Sequence, residues 1–216
     1  MKIKSNANHS GIISSLFDIS YSKNDINNLL KKISEVPIAE VEVELDSIEL
    51  IKNSGLDENI LTTAMINYPL GGYTAEYIVD SIKWACENKA DVICTNLPLF
   101  WLRSNEKIRI NNLVREIIKA CGKKTIRISL DSDLLSKEEI LSVCNLLCNA
   151  GISQLKSSCG FTYNSSADVI SFIREEFPDI ILTVDNNLKG NSNEIDSLFG
   201  LGVRYVCAKE PWLYHF

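Results

Sequence analysis

One lysine carries the clearest chemical signal in this chain. In Gln154-Leu155-Lys156-Ser157-Ser158-Cys159-Gly160-Phe161, Lys156 stands in a strand-like run of apolar and small residues just before a glycine turn. A lysine so placed points into a core or a pocket, and desolvation in either would disfavour its ammonium and lower its pKa. A neutral amine is a nucleophile toward carbonyls and forms imines with them. The competing reading is a strand-end lysine whose stem is buried while its head snorkels to solvent.

Other residues offer weaker chemistry. Glu40, Glu42 and Glu44 alternate with Val41 and Val43. With Asp131 they form a conceivable oxygen set for a divalent metal, although the same alternation is what an amphipathic sheet edge shows. Cys144 and Cys148 stand one helical turn apart without a second Cys or His pair, so packing is the better reading and no metal is expected. Asp185, Lys189, Lys209, Glu210, Tyr214 and His215 are candidate proton carriers, each of which read singly is a solvated surface group. His9 lies in a polar stretch with no evident role.

Composition limits the function classes. The chain has 216 residues, 45% of them hydrophobic, with only five prolines and no linker, which predicts one domain over 1–216. A net charge of -6 without a basic run gives no attraction to nucleic acid or to an anionic membrane. Seven cysteines, odd in number and scattered through apolar segments, suit a reducing cytoplasm. No segment has the apolar core of a signal peptide or the roughly 20 apolar residues of a membrane span. A cytoplasmic protein is expected.

The elements that must hold Lys156 alternate almost from end to end. Strand patterns fall at about 12–17, 39–45, 61–67, 91–96, 125–130, 153–158, 180–185 and 204–207, and helical patterns follow all but the last. Ser22, Thr74 and the capping box Ser136-Lys137-Glu138-Glu139 mark helix starts. Such β and α alternation implies a parallel sheet with right-handed crossovers, and about eight units in some 200 residues fit an α/β fold of the (β/α)8 TIM-barrel type. An open doubly wound sheet is the alternative, but no Gly-rich dinucleotide fingerprint follows the first strand. In a barrel, active residues cluster at strand C-terminal ends: Asn67, Cys94 to Asn96, Asp131, Lys156 to Ser158, Asp185 and Lys209.

Two segments then resemble one family. Thr63-Ala64-Met65-Ile66-Asn67-Tyr68-Pro69-Leu70-Gly71 is similar to the Phe-Pro-Leu-Gly loop of deoxyribose-phosphate aldolases, and Gly151 to Phe161 resembles their Schiff-base segment, in which lysine precedes Thr-Ser-Thr-Gly-Phe. Asp131 to Glu139 is similar to a third family segment, so the likeness is good over about 60–165 and weak in the flanks. The resemblance implies a barrel whose lysine forms a carbinolamine and then an imine, while a second lysine and an aspartate move protons. It implies a small-molecule carbonyl substrate and no cofactor, and it admits a homodimer.

The departures are as informative. Cys94 stands in place of the family's aspartate, and Asp91 is on the opposite face from it; Val184 stands in place of the second lysine. The paired phosphate-binding glycines become about Asn187 and Leu188, the late serines fall near Ala208 and Lys209, and an early aspartate falls near Ile13. Arg127, aligned with a family lysine, is either the cation that lowers the pKa of Lys156 or a partner of Asp131 or of the Glu40, Glu42 and Glu44 strand. The expected site is therefore catalytic Lys156, lined by Asn67, Cys94, Arg127, Asp131, Ser158 and Asp185 and holding no metal. The expected activity is that of a class I aldolase-like lyase with an altered substrate, and the alternative is a catalytically impaired homologue that works by binding.

Overall fold

The computed structural model describes residues 11–16, 21–69, 71–158, 165–185 and 192–213. Leu70, Cys159, Gly160 and Phe161 of the two family-like segments lie outside the described residues, as do His9, Asn187, Leu188, Lys189, Tyr214 and His215.

Eight parallel strands close a barrel in chain order: β1 (Gly11–Ser15), β2 (Glu40–Val43), β3 (Leu61–Ile66), β4 (Val92–Asn96), β5 (Thr125–Ser129), β6 (Gln154–Lys156), β7 (Ile181–Asp185) and β8 (Tyr205–Ala208). The ring is sealed by β1 against β8, with Ile13 opposite Cys207. Helices α1 (Lys23–Ile33), α2 (Ile48–Lys52), α3 (Ala75–Glu87), α4 (Leu99–Arg103), α5 (Lys107–Cys121), α6 (Lys137–Asn149), α7 (Ala167–Glu176) and α8 (Ser192–Gly200) run between the strands. This is the (β/α)8 architecture that the alternation predicts.

Helix starts follow local chemistry. Ser22 with Asp25, and Ser136 with Glu139, form reciprocal capping boxes that satisfy otherwise orphaned amides at α1 and α6. Thr74 and Ser166 cap α3 and α7 through their hydroxyls. Helix α4 is not anticipated by periodicity, because five residues after Pro98 are too few to display a 3.6-residue period. The following helix starts at Lys107, three residues before the Ile110 from which the apolar period reads in the sequence.

Closure changes the meaning of strand alternation. Val41 and Val43 pack outward into the apolar layer beneath the helices, which leaves Glu40 and Glu42 on the lumen side, both buried. The closed barrel has no edge, so the amphipathic-edge reading of these glutamates is overturned. Lysine and arginine sit opposite them: Arg127 and Lys156 are among the largest fully buried side chains of the described residues.

Candidate active site

The lumen is polar in two tiers. In the one nearer the strand N-termini, Arg127 on β5 reaches across to Glu40 on β2, donating from Nη1 to Oε2 at 2.9 Å and from Nη2 to Oε1 at 2.8 Å. Its Nε and Nη2 also donate to Oε1 of Gln154, at 3.2 and 3.1 Å. Thr63 Oγ1 donates to Glu40 at 2.7 Å, and the guanidinium lies 5.5 Å from the centre of the Tyr205 ring. Desolvation opposes the charge on Arg127, but Glu40 more than compensates and fixes it as a cation. The fork geometry explains why arginine occupies this position. Arg127, expected to line the pocket or to lower the pKa of Lys156, is thus enclosed with its charge spent on Glu40. Of the two readings open from sequence, partner to the glutamate strand is the one the structure shows.

The second tier holds Lys156. Its Nζ donates to Glu42 Oε2 at 2.7 Å and pairs with Asp185 Oδ1 at 3.0 Å. The lysine side chain is 1% exposed and that of Glu42 0%, whereas Asp185 keeps 21%, so Asp185 is the side of the triad that meets solvent. Ser15 Oγ donates to the same Glu42 oxygen at 3.0 Å. Desolvation pulls the Lys156 pKa down, yet Asp185, with Cys207 and Glu42, outweighs it and holds the ammonium well above the ordinary lysine range. This corrects the expectation of a depressed lysine: burial acts as foreseen, but two carboxylates reverse its result. Because two carboxylates share one cation, burial and the neighbouring Glu42 raise the Asp185 carboxyl despite its pairing with Lys156.

Glu42 is the residue that the sequence reading missed as a partner for Lys156. The signal was present, since valines that face the helices of a barrel oblige the intervening glutamates to face its lumen.

The remaining expected residues divide. Cys94 does face Lys156, Glu42 and Asp185, but burial pushes its thiol up to about 12, so at neutral pH it is not a base that replaces a carboxylate. Ser158 accepts a hydrogen bond from the Asp185 amide at 3.1 Å and so ties the end of β7 to β6, fixing the backbone that carries Asp185. Asn67, at φ 60°, donates to the Asn96 carbonyl at 2.8 Å and accepts from the Tyr73 amide at 3.0 Å. Its amide therefore clamps the turn after β3, with Asn96 bonding the Pro69 carbonyl at 2.7 Å. Asp131 is buried just after β5. Val184 faces the outer apolar layer, while its neighbours Thr183 and Asp185 are outside that layer. Asp91 binds Lys52 and the Thr62 amide, away from the triad, as the reversed strand face requires. Lys209 is exposed, and so is Glu44, which removes it from any carboxylate set with Glu40 and Glu42.

No family model matches the chain. It is similar to the deoxyribose-phosphate aldolase of Mycoplasma mycoides subsp. mycoides, 31% identical over 148 residues that make up 68% of this chain and 75% of the relative. The deoxyribose-phosphate aldolase of Mycoplasma mobile is 23% identical over 182 residues, 83% of each protein. Among solved structures, QR15, an aldolase, superposes with a TM-score of 0.86 at 17% identity, covering 93% of this chain and 90% of that one. A putative deoxyribose-phosphate aldolase from Coccidioides immitis gives the same TM-score at 18% identity, over 93% and 81%. These solved structures establish the barrel, and the Mycoplasma mycoides relative, matched over three quarters of its length, establishes the lineage: the chain belongs to the deoxyribose-phosphate aldolase family.

Proposed function

We propose that this protein is a class I aldolase-like lyase in which Lys156 forms a Schiff base with a small aldehyde or ketone and Asp185 and Glu42 carry its protons. The observation that supports this most is the triad itself: a fully buried lysine bonded to two carboxylates, one of which reaches solvent. The resting ammonium is not a nucleophile. Transfer of one proton to Asp185 frees the amine, which adds to the carbonyl carbon to give a carbinolamine. The proton then returns to the departing hydroxyl, water leaves, and a protonated imine remains beside the two carboxylates that stabilise its charge. A carboxylate accepts the adjacent carbon-bound proton to form the enamine that attacks the second carbonyl compound.

The raised Asp185 suits a group that must both take and return a proton. In this reading Asp185 and Glu42 substitute for the aspartate and second lysine that the family places at Cys94 and Val184, each loss of which would otherwise cost about 10² to 10⁴ in rate. Ala208 and Lys209 stand where the family places phosphate-binding serines, which supports a substrate other than deoxyribose phosphate. No cofactor enters this route.

Incubation with short aldehydes and borohydride is expected to leave a mass adduct on Lys156. No adduct, or an equal one in Lys156→Ala, overturns the proposal. A second reading, a non-catalytic homologue that works by binding, is favoured by the well-raised lysine, which must give up a stabilised proton before it reacts. It predicts no turnover on any aldehyde pair and ordinary lysine reactivity.

A further inference from the structure

Glu42, Asp185 and Cys207 each place one donor atom within 4.8 Å of the others. Glu42 Oε2 is used twice, by Lys156 and by Ser15, whereas Oε1 is fully buried and has no hydrogen-bond partner among the described residues. A buried acceptor without a partner is uncommon in a folded protein and points to something missing from its surroundings. Beside it, the Cys207 thiol is 2% exposed and within 4.8 Å of an Asp185 carboxylate oxygen.

We propose that Glu42, Asp185 and Cys207 form a site for a divalent cation of the zinc class, and that its occupancy displaces the Lys156 ammonium and blocks imine formation. The donor set chooses the metal. Magnesium and calcium require mostly oxygen ligands in sixfold or higher coordination, whereas a sulfur and two carboxylate oxygens with a fourth position open suit zinc. Bond lengths of about 2.3 Å to sulfur and about 2.0 Å to oxygen put tetrahedral donors roughly 3.5 Å apart, so side-chain shifts on the order of 1 Å close the site.

The charge also balances. With both carboxylates ionised, two anions and the ammonium sum to -1. Lys156 stays in the lumen, so two carboxylates, a thiolate, a neutral lysine amine and a divalent cation also sum to -1, and binding leaves the charge of the lumen unchanged. On binding, the Cys207 sulfur bonds the metal, the thiol proton and the Lys156 ammonium proton both leave to water, and the freed amine takes the fourth position with its lone pair held by the metal, with no redox change. The inhibitory consequence rests on the Schiff-base reading of Lys156; the cation site does not.

Cobalt(II) titrated into the full chain is expected to produce a thiolate-to-metal absorption band that zinc displaces at one ion per chain. Cys207→Ser should abolish the band and weaken zinc binding by about tenfold or more, since loss of even a supporting partner costs about that much. Should circular dichroism show that Cys207→Ser is unfolded, Asp185→Asn must weaken zinc binding likewise. Cys148→Ser, at an exposed position on α6, should change nothing. Absence of the band, or a band retained in folded Cys207→Ser, overturns the site. Saturating zinc should also suppress aldehyde trapping in the native chain, and trapping that proceeds undiminished overturns the inhibitory role. Zinc binding by a chain that never traps aldehyde would instead refute the Schiff-base reading and leave the cation site standing.

Discussion

Two buried ion pairs lie in the same barrel and have opposite character. Around Arg127 and Glu40 the geometry is saturated: a two-point fork, a glutamine, a threonine and an aromatic face, with the side chains 0% and 3% exposed. Around Lys156 it is incomplete, with one cation for two carboxylates, an unpartnered Glu42 oxygen and an Asp185 that is 21% exposed. A complete buried network stabilises one arrangement, while an incomplete one leaves groups able to exchange protons or partners. The first tier has the arrangement of a support, and the second is the one to which the proposed chemistry is assigned.

Breaking each tier measures the contrast. Arg127→Ala strands a buried carboxylate and should cost about 3–5 kcal/mol in denaturant unfolding. Lys156→Met should cost less, about 1–3 kcal/mol, because Asp185 can protonate and meets solvent. That smaller loss should shrink on acidification, since the folded variant binds a proton at Asp185 that the unfolded chain does not. Equal losses at all pH values would erase the distinction between the tiers. In the native protein the lysine acts with the same sign, but in the alkaline range. Its raised folded pKa contributes stability that is complete below the unfolded value near 10.5 and is lost as pH climbs through the folded one, so the barrel should weaken in alkali.

Asp185→Asn sharpens the functional half. Asp185 is the largest influence holding Lys156 charged, so its removal should move the pH profile of aldehyde trapping to lower pH while lowering the maximal rate by about 10² or more through loss of the proton carrier. A profile that stays in place would show that Asp185 does not act on the lysine. Asn67→Ala should cost about 2–3 kcal/mol, from two lost hydrogen bonds and an alanine at φ 60°. Asn67→Gly should recover the backbone share alone. The smallest expected effect is that of Ser136→Ala at the exposed start of α6, about 1 kcal/mol with trapping unchanged, which marks the baseline for a residue outside both tiers.

Much of this was legible one residue at a time. The capping boxes at Ser22 and Ser136, the repeated strand and helix periods, and Lys156 before its glycine turn are local patterns, and local patterns survive in a sequence. Helix α4 was not legible, because its five residues carry no period. Asn67 was placed correctly at a strand end, but that its amide is spent on the 68–73 turn depends on Tyr73 and Asn96 folding back onto it.

The sequence alone determined the barrel and singled out Lys156, because both follow from spacing along the chain. Only the tertiary structure decided the charge on that lysine. Desolvation alone argued for a neutral amine, yet β2 lies 114 residues before Lys156 in sequence and 2.7 Å from it across the lumen. A Coulomb interaction depends on distance in space and on the medium between the charges, and neither is written in the order of residues. The same closure turned Glu40 and Glu42 from an apparent edge into the two anions that divide the lumen between support and chemistry.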